Sequence, residues 1–154
     1  MAENVTASAI ISFAEELEDG SAAFYRQLAE RFTAGQAAFL SFAKESEKNQ
    51  TLVVRTYRET ISDALEACFS FQGVDLDAHR SRTTGRLDNL GRSPDYATVL
   101  AAAIELEEQA VEFYQDMAER SQSLMATIPM AFRRVAKTRG KRKPKLQSLL
   151  QEEE

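Results

Sequence analysis

Two glutamates, Glu18 and Glu107, are the residues of this chain best placed to do chemistry. Each stands four residues before an apolar side chain (Ala22, Val111) and seven before a tyrosine (Tyr25, Tyr114). Those offsets share one face of an α-helix. Each glutamate also borders an apolar stripe, Leu17/Phe24 in one case and Leu106/Phe113 in the other, so both carboxylates are expected to point into a helical interior. Burying two carboxylates is costly unless cations or hydrogen-bond donors meet them. A divalent metal site between four helices is one solution, with Glu from two helices and Glu-x-x-His from the other two. Tyr25 and Tyr114 could hydrogen-bond the carboxylates, or pack as aromatics with a wet hydroxyl.

The elements that must carry these residues are copies of each other. Aligning 14–31 with 103–120 without gaps gives nine identities in eighteen positions, including Glu16/Glu105, Leu17/Leu106, Glu18/Glu107, Phe24/Phe113, Tyr25/Tyr114 and Arg31/Arg120. Shared helical periodicity pairs apolar with apolar. It does not reproduce a Phe-Tyr pair, an Ala-Glu-Arg triplet and a Glu six residues before the Phe. A weaker echo links Phe39/Phe132, Ala43/Ala136 and Lys44/Lys137. The chain therefore reads as all-α, a duplicated helical hairpin forming a four-helix bundle over 1–139. The hairpins span 8–67 and 94–139.

The first helix is expected over 8–32, closed by Thr33-Ala34-Gly35, and the second over 36–67. Gly73, Gly85, Gly91 and an aperiodic polar run mark 68–93 as a long crossover between helices 2 and 3. Ser93 as cap, Pro94 in the first helical position and Asp95 beside it open the third helix, which runs to 120. The fourth covers 129–139, with Gly140 and Pro144 as interruptions. Residues 140–154 form a basic and then acidic tail.

The pattern Leu-Glu-x5-Phe-Tyr-x3-Ala-Glu, present at 17–30 and again at 106–119, resembles helices 1 and 3 of rubrerythrin-like, ferritin-like proteins. That resemblance implies a ferritin-like four-helix bundle, a di-iron centre handling peroxide, oxygen or ferrous iron, and self-association into a dimer or larger homo-oligomer. It makes Glu18 and Glu107 metal ligands. The even helices depart from the family pattern Ala-x-x-Glu-x-x-His. After Ala43, Ser46 and Asn49 stand in the Glu and His positions; after Ala136, Arg139 and Arg142 do. Of six expected ligands, two remain. A one-residue shift in helix 2 would turn Glu47 inward as a third carboxylate. Alternatively Arg139 and Arg142 reach Glu18 and Glu107 as charge-assisted pairs that replace the metal. The leading expectation is a bundle that has lost its standard di-iron centre and serves as a non-catalytic binding or structural module. An iron oxidoreductase with a remodelled carboxylate site is the alternative.

Composition bounds the rest. The 154 residues suit one domain with a real core, and scarcity of Gly (6) and Pro (3) favours long helices. One cysteine, Cys68, excludes an intrachain disulfide and a rubredoxin-like iron site. The single histidine, His79, reads as a solvated loop residue. The first thirteen residues hold no Lys or Arg, and the longest apolar run, 99–104, is too short to span a bilayer, so a cytoplasmic protein is expected. Net charge is −5, but residues 133–154 hold eight basic and three acidic residues, which sets a +5 segment against a −10 body. The basic run 137–145 could meet nucleic acid or an anionic surface, or dock on the acidic body.

Overall fold

The computed structural model describes residues 3–60, 70–88, 90, 94–121 and 127–153. It is mainly helical. The first helix, α1, runs from Ala7 to Arg31, and the Thr6 side chain caps it by accepting from the Ala9 amide at 3.1 Å. Its apolar spacing buries Ile10, Ala14, Leu17, Leu28 and, on the same face, Glu18, Ser21 and Tyr25. The Phe32 amide reaches back to the Leu28 carbonyl at 2.8 Å and closes the last turn. After the four residues 32–35, α2 (Gln36–Thr60) returns along α1. The expected end of this helix near 67 and Cys68 lie outside the described residues. Thr33-Ala34-Gly35 follows the end of α1, as expected, without a left-handed residue, since among the described residues Gly73 alone has positive φ. Space is what Gly35 supplies: a Cβ there would sit 2.7 Å from the Tyr96 hydroxyl and 2.8 Å from the Phe39 ring.

The crossover has structure that its polar sequence hid. Strand β1 (Glu3–Thr6) pairs antiparallel with β2 (Ser70–Val74), burying Phe71 and Val74. Gly73 takes φ 72° beside the register irregularity between Glu3 and Val5, a conformation that costs a glycine little. Two short helices follow: α3 (Leu76–Arg82), capped by Asp75 at 3.0 Å, and α4 (Thr84–Asp88). Both lie against α1 and the next long helix, α5 (Tyr96–Arg120). Arg80 pairs with Glu16 and Arg86 with Glu105, each at 2.9 Å. Glu16 and Glu105 are equivalent positions of the internal repeat, so the crossover is tethered at matching points of the two copies. His79 is not a solvated loop residue. It is half-buried in α3, edge-on to Phe113 with ring centroids 5.1 Å apart.

Asp95, rather than Ser93, is the observed cap of α5; its carboxylate accepts from the Thr98 amide at 2.8 Å. Pro94 precedes the cap instead of holding the first helical position, and Ser93 lies outside the described residues. Helix α6 (Thr127–Gly140) packs on α5 and α2. Residues 140–154 were expected to form a basic and then acidic tail after a helix ending at 139. Instead only Lys141 separates α6 from a further helix, α7 (Arg142–Glu153), which lies along α5. Arg142 and Leu146, four residues apart and on one face, are both buried, and that burial is what makes the basic segment part of the body. The core joins both hairpins: Ile10, Leu17, Tyr25, Phe39, Phe42, Leu106, Phe113, Tyr114, Phe132 and Val135 form one cluster. No described helix is long and apolar enough to cross a membrane.

Candidate ionic centre

Glu18 on α1 and Glu107 on α5 are completely buried. The helical spacing that places them on the apolar face does so in both copies of the repeat, and the two carboxylates face each other across the interior. Their tyrosines cross over. Tyr25, on the helix of Glu18, donates to Glu107 Oε2, and Tyr114, on the helix of Glu107, donates to Glu18 Oε2, each at 2.6 Å. The seven-residue spacing sets each ring two turns along from the glutamate of its own helix, and the tertiary arrangement of α1 and α5 brings it to the other glutamate. Burial, followed by the adjacent carboxylate, pushes both phenols well above their ordinary pKa of 10.0, so they remain protonated donors.

Arg139 of α6 sits between the glutamates. Its Nε and Nη2 donate to the two oxygens of Glu107 at 2.8 and 2.9 Å, a bidentate pairing. Its Nη1 donates to Glu18 Oε2 at 2.7 Å, and Nη2 also reaches Ser21 Oγ at 3.1 Å. Burial opposes its charge, but Glu107 and then Glu18 outweigh that and hold its pKa above the ordinary arginine value. Ser21 in turn donates to the Leu17 carbonyl at 2.7 Å. Arg142, at the start of α7, is equally buried. Its Nε meets Glu45 Oε1 at 3.0 Å, its Nη1 approaches Glu107 Oε2 at 3.4 Å, and its guanidinium lies 5.5 Å from the Phe42 ring centroid. Two buried carboxylates and two buried guanidiniums thus give an interior of zero net charge, which low dielectric strongly favours.

The even helices contribute unequally. Asn49 on α2 donates to Glu18 Oε1 at 3.3 Å, and Ser46 is buried beside it along the helix. Ser46 Oγ and Arg142 Nη2 are buried without a hydrogen-bond partner among the described residues. Glu47, which a register shift would have turned inward, is at the surface and pairs with Arg26. The α2 register that buries Phe39, Phe42, Ser46, Asn49 and Val53 leaves it on the outer face. Two participants lacked a clear signal in the sequence. Ser21 was visible only as a polar residue inside an apolar stripe. Glu45 neighbours the inward Ser46, and only the start of α7 brings Arg142 to it.

These residues do not fit a pair of metal ions. All four oxygens of Glu18 and Glu107 already accept from Arg139, Tyr25, Tyr114, Arg142 or Asn49. The central group is itself a cation, and no imidazole is present, since His79 lies in α3. Among the described residues no three or more His, Cys, Asp or Glu are grouped as metal donors. Searches for similarity found no matching family model, no matching curated protein and no matching solved structure.

Proposed function

We propose that this chain is a ferritin-like, rubrerythrin-like four-helix bundle in which arginine stands in for the metal centre, and that it serves as a non-catalytic binding or structural module. The observation that carries this reading is Arg139, bridging Glu18 and Glu107 from the position where the resemblance expects a glutamate ligand. A guanidinium supplies fixed positive charge and planar donors between two carboxylates. It cannot change oxidation state or open a coordination position, so the centre holds helices together rather than activating oxygen or peroxide. The duplicated Leu-Glu-x5-Phe-Tyr pattern and the crossed Glu–Tyr bonds support descent from a two-fold helical ancestor. Self-association and a cytoplasmic setting belong to the same reading.

Elemental analysis tests it directly. Protein purified without a chelating tag, measured before and after anaerobic ferrous loading, is expected to carry no stoichiometric iron. About two irons per chain, lost on Glu18→Ala or Glu107→Ala, would overturn the proposal and return the chain to di-iron chemistry.

A further inference from the structure

The groove between α2 and α6 holds about 550 Å³ and is lined by Lys44, Lys48, Arg55 and Arg134 together with Glu45 and Glu47. Both acids are already neutralised by residues that do not line the groove. Glu45 accepts from Arg142 of α7, and Glu47 pairs with Arg26 of α1. The four cations are exposed, and none makes an ion pair within 4.0 Å among the described residues. The groove therefore presents four positive charges whose local acids are occupied, on a chain whose net charge is −5.

We propose that this groove binds a small molecule carrying two or more phosphate groups. Its volume is within the range of small-molecule sites. Lysine and arginine from two helices converge on it, arginine as a planar fork and lysine as a point charge, the two usual ways of holding phosphate oxygens. Size favours a compact anion over nucleic acid. Screening limits a small ligand to charges within roughly 8–10 Å, where the groove is basic. A longer polyanion would also meet the acidic body, and among the described residues no aromatic side chain lines the groove to stack a base. The floor of the groove reaches the ionic centre: Asn49, which lines it, donates to Glu18, and Glu45 holds Arg142. Ligand held there would brace α2 against α6 over the buried charges. The inference goes beyond the proposed function and does not depend on it, since iron loading reads the interior and phosphate binding reads the surface.

The test is calorimetric titration of the full chain with inorganic tripolyphosphate at physiological salt. It is repeated for Lys48→Gln and Arg134→Gln, and for Lys141→Gln as a basic residue outside the groove. Saturable one-to-one binding is expected, weakened about tenfold in each groove variant and unchanged in Lys141→Gln. Circular dichroism confirms that each variant is folded, as expected for exposed positions. Absence of binding by the wild-type chain, or equal weakening by Lys141→Gln, would overturn the proposal. A single-stranded oligonucleotide that competes at lower concentration than tripolyphosphate would also overturn it, in favour of a nucleic-acid surface.

Discussion

Replacing Arg139 with methionine keeps the length of the side chain and removes the charge at the centre. In the native protein this guanidinium donates two hydrogen bonds to Glu107, one to Glu18 and one to Ser21, all between fully buried groups. Breaking a buried ion pair by deleting one partner costs about 3–5 kcal/mol, because the other charge is left without compensation. Here two carboxylates lose their main cation together. Glu107 keeps Tyr25 and the longer contact to Arg142, while Glu18 keeps Tyr114 and Asn49. These donors soften the loss, so we expect Arg139→Met to cost about 4 kcal/mol, a large part of the roughly 5–15 kcal/mol that holds a domain together. The cost belongs to the stranded charges, so it should be reversible by removing them. In Glu18→Gln/Glu107→Gln/Arg139→Met the amide oxygens still accept from the two tyrosines, and the triple variant should return to within about 1–2 kcal/mol of wild type. Urea unfolding at neutral pH, followed by far-ultraviolet circular dichroism, measures all three proteins. A loss below about 1 kcal/mol in Arg139→Met, or a triple variant no more stable than the single one, would refute the ionic centre as described.

Three further outcomes follow from the structure. Burial in α3, against Phe13 and Phe113, holds the pKa of His79 below its ordinary 6.5. Asp116, Glu112 and Asp75 oppose that shift, and Arg82 adds to it. The unfolded chain then takes up its proton first as pH falls through 6.5, so stability present above that value declines below it. His79→Phe should flatten the dependence of the urea midpoint on pH just below 6.5, and an unchanged slope would sink this account. Gly35→Ala should destabilise by about 1–3 kcal/mol, because its Cβ would meet the Phe39 ring, which is fully buried. Gly140→Ala, where a Cβ meets nothing within 4 Å, should instead gain about 0.5–1 kcal/mol from helix propensity; thermal melting of the pair separates the two cases.

The sequence by itself determined the helices that carry Glu18 and Glu107, and the inward direction of both carboxylates. Periodicity of apolar residues is a local property, and the repeat wrote it twice, with the same Glu-to-Tyr spacing. The Ala-anchored register also put Ser46, Asn49, Arg139 and Arg142 on inner faces, where they are buried. Pairing was a different matter. That Tyr25 serves the opposite glutamate, that Arg139 takes both carboxylates while Arg142 turns to Glu45, and that Glu47 faces solvent with Arg26, depend on how helices distant in sequence are set beside each other. The crossover was least legible. Its polar, aperiodic residues give no repeat of their own, yet β2 forms because β1 offers backbone donors and acceptors, and α3 and α4 form where α1 and α5 supply a surface. The basic run at 137–145 read as charge that could meet an anionic partner or dock on the acidic body, and only tertiary structure decided which acids its buried arginines meet. A guanidinium can be buried when carboxylates are waiting for it, and those of Glu18, Glu45 and Glu107 lie far away in the chain.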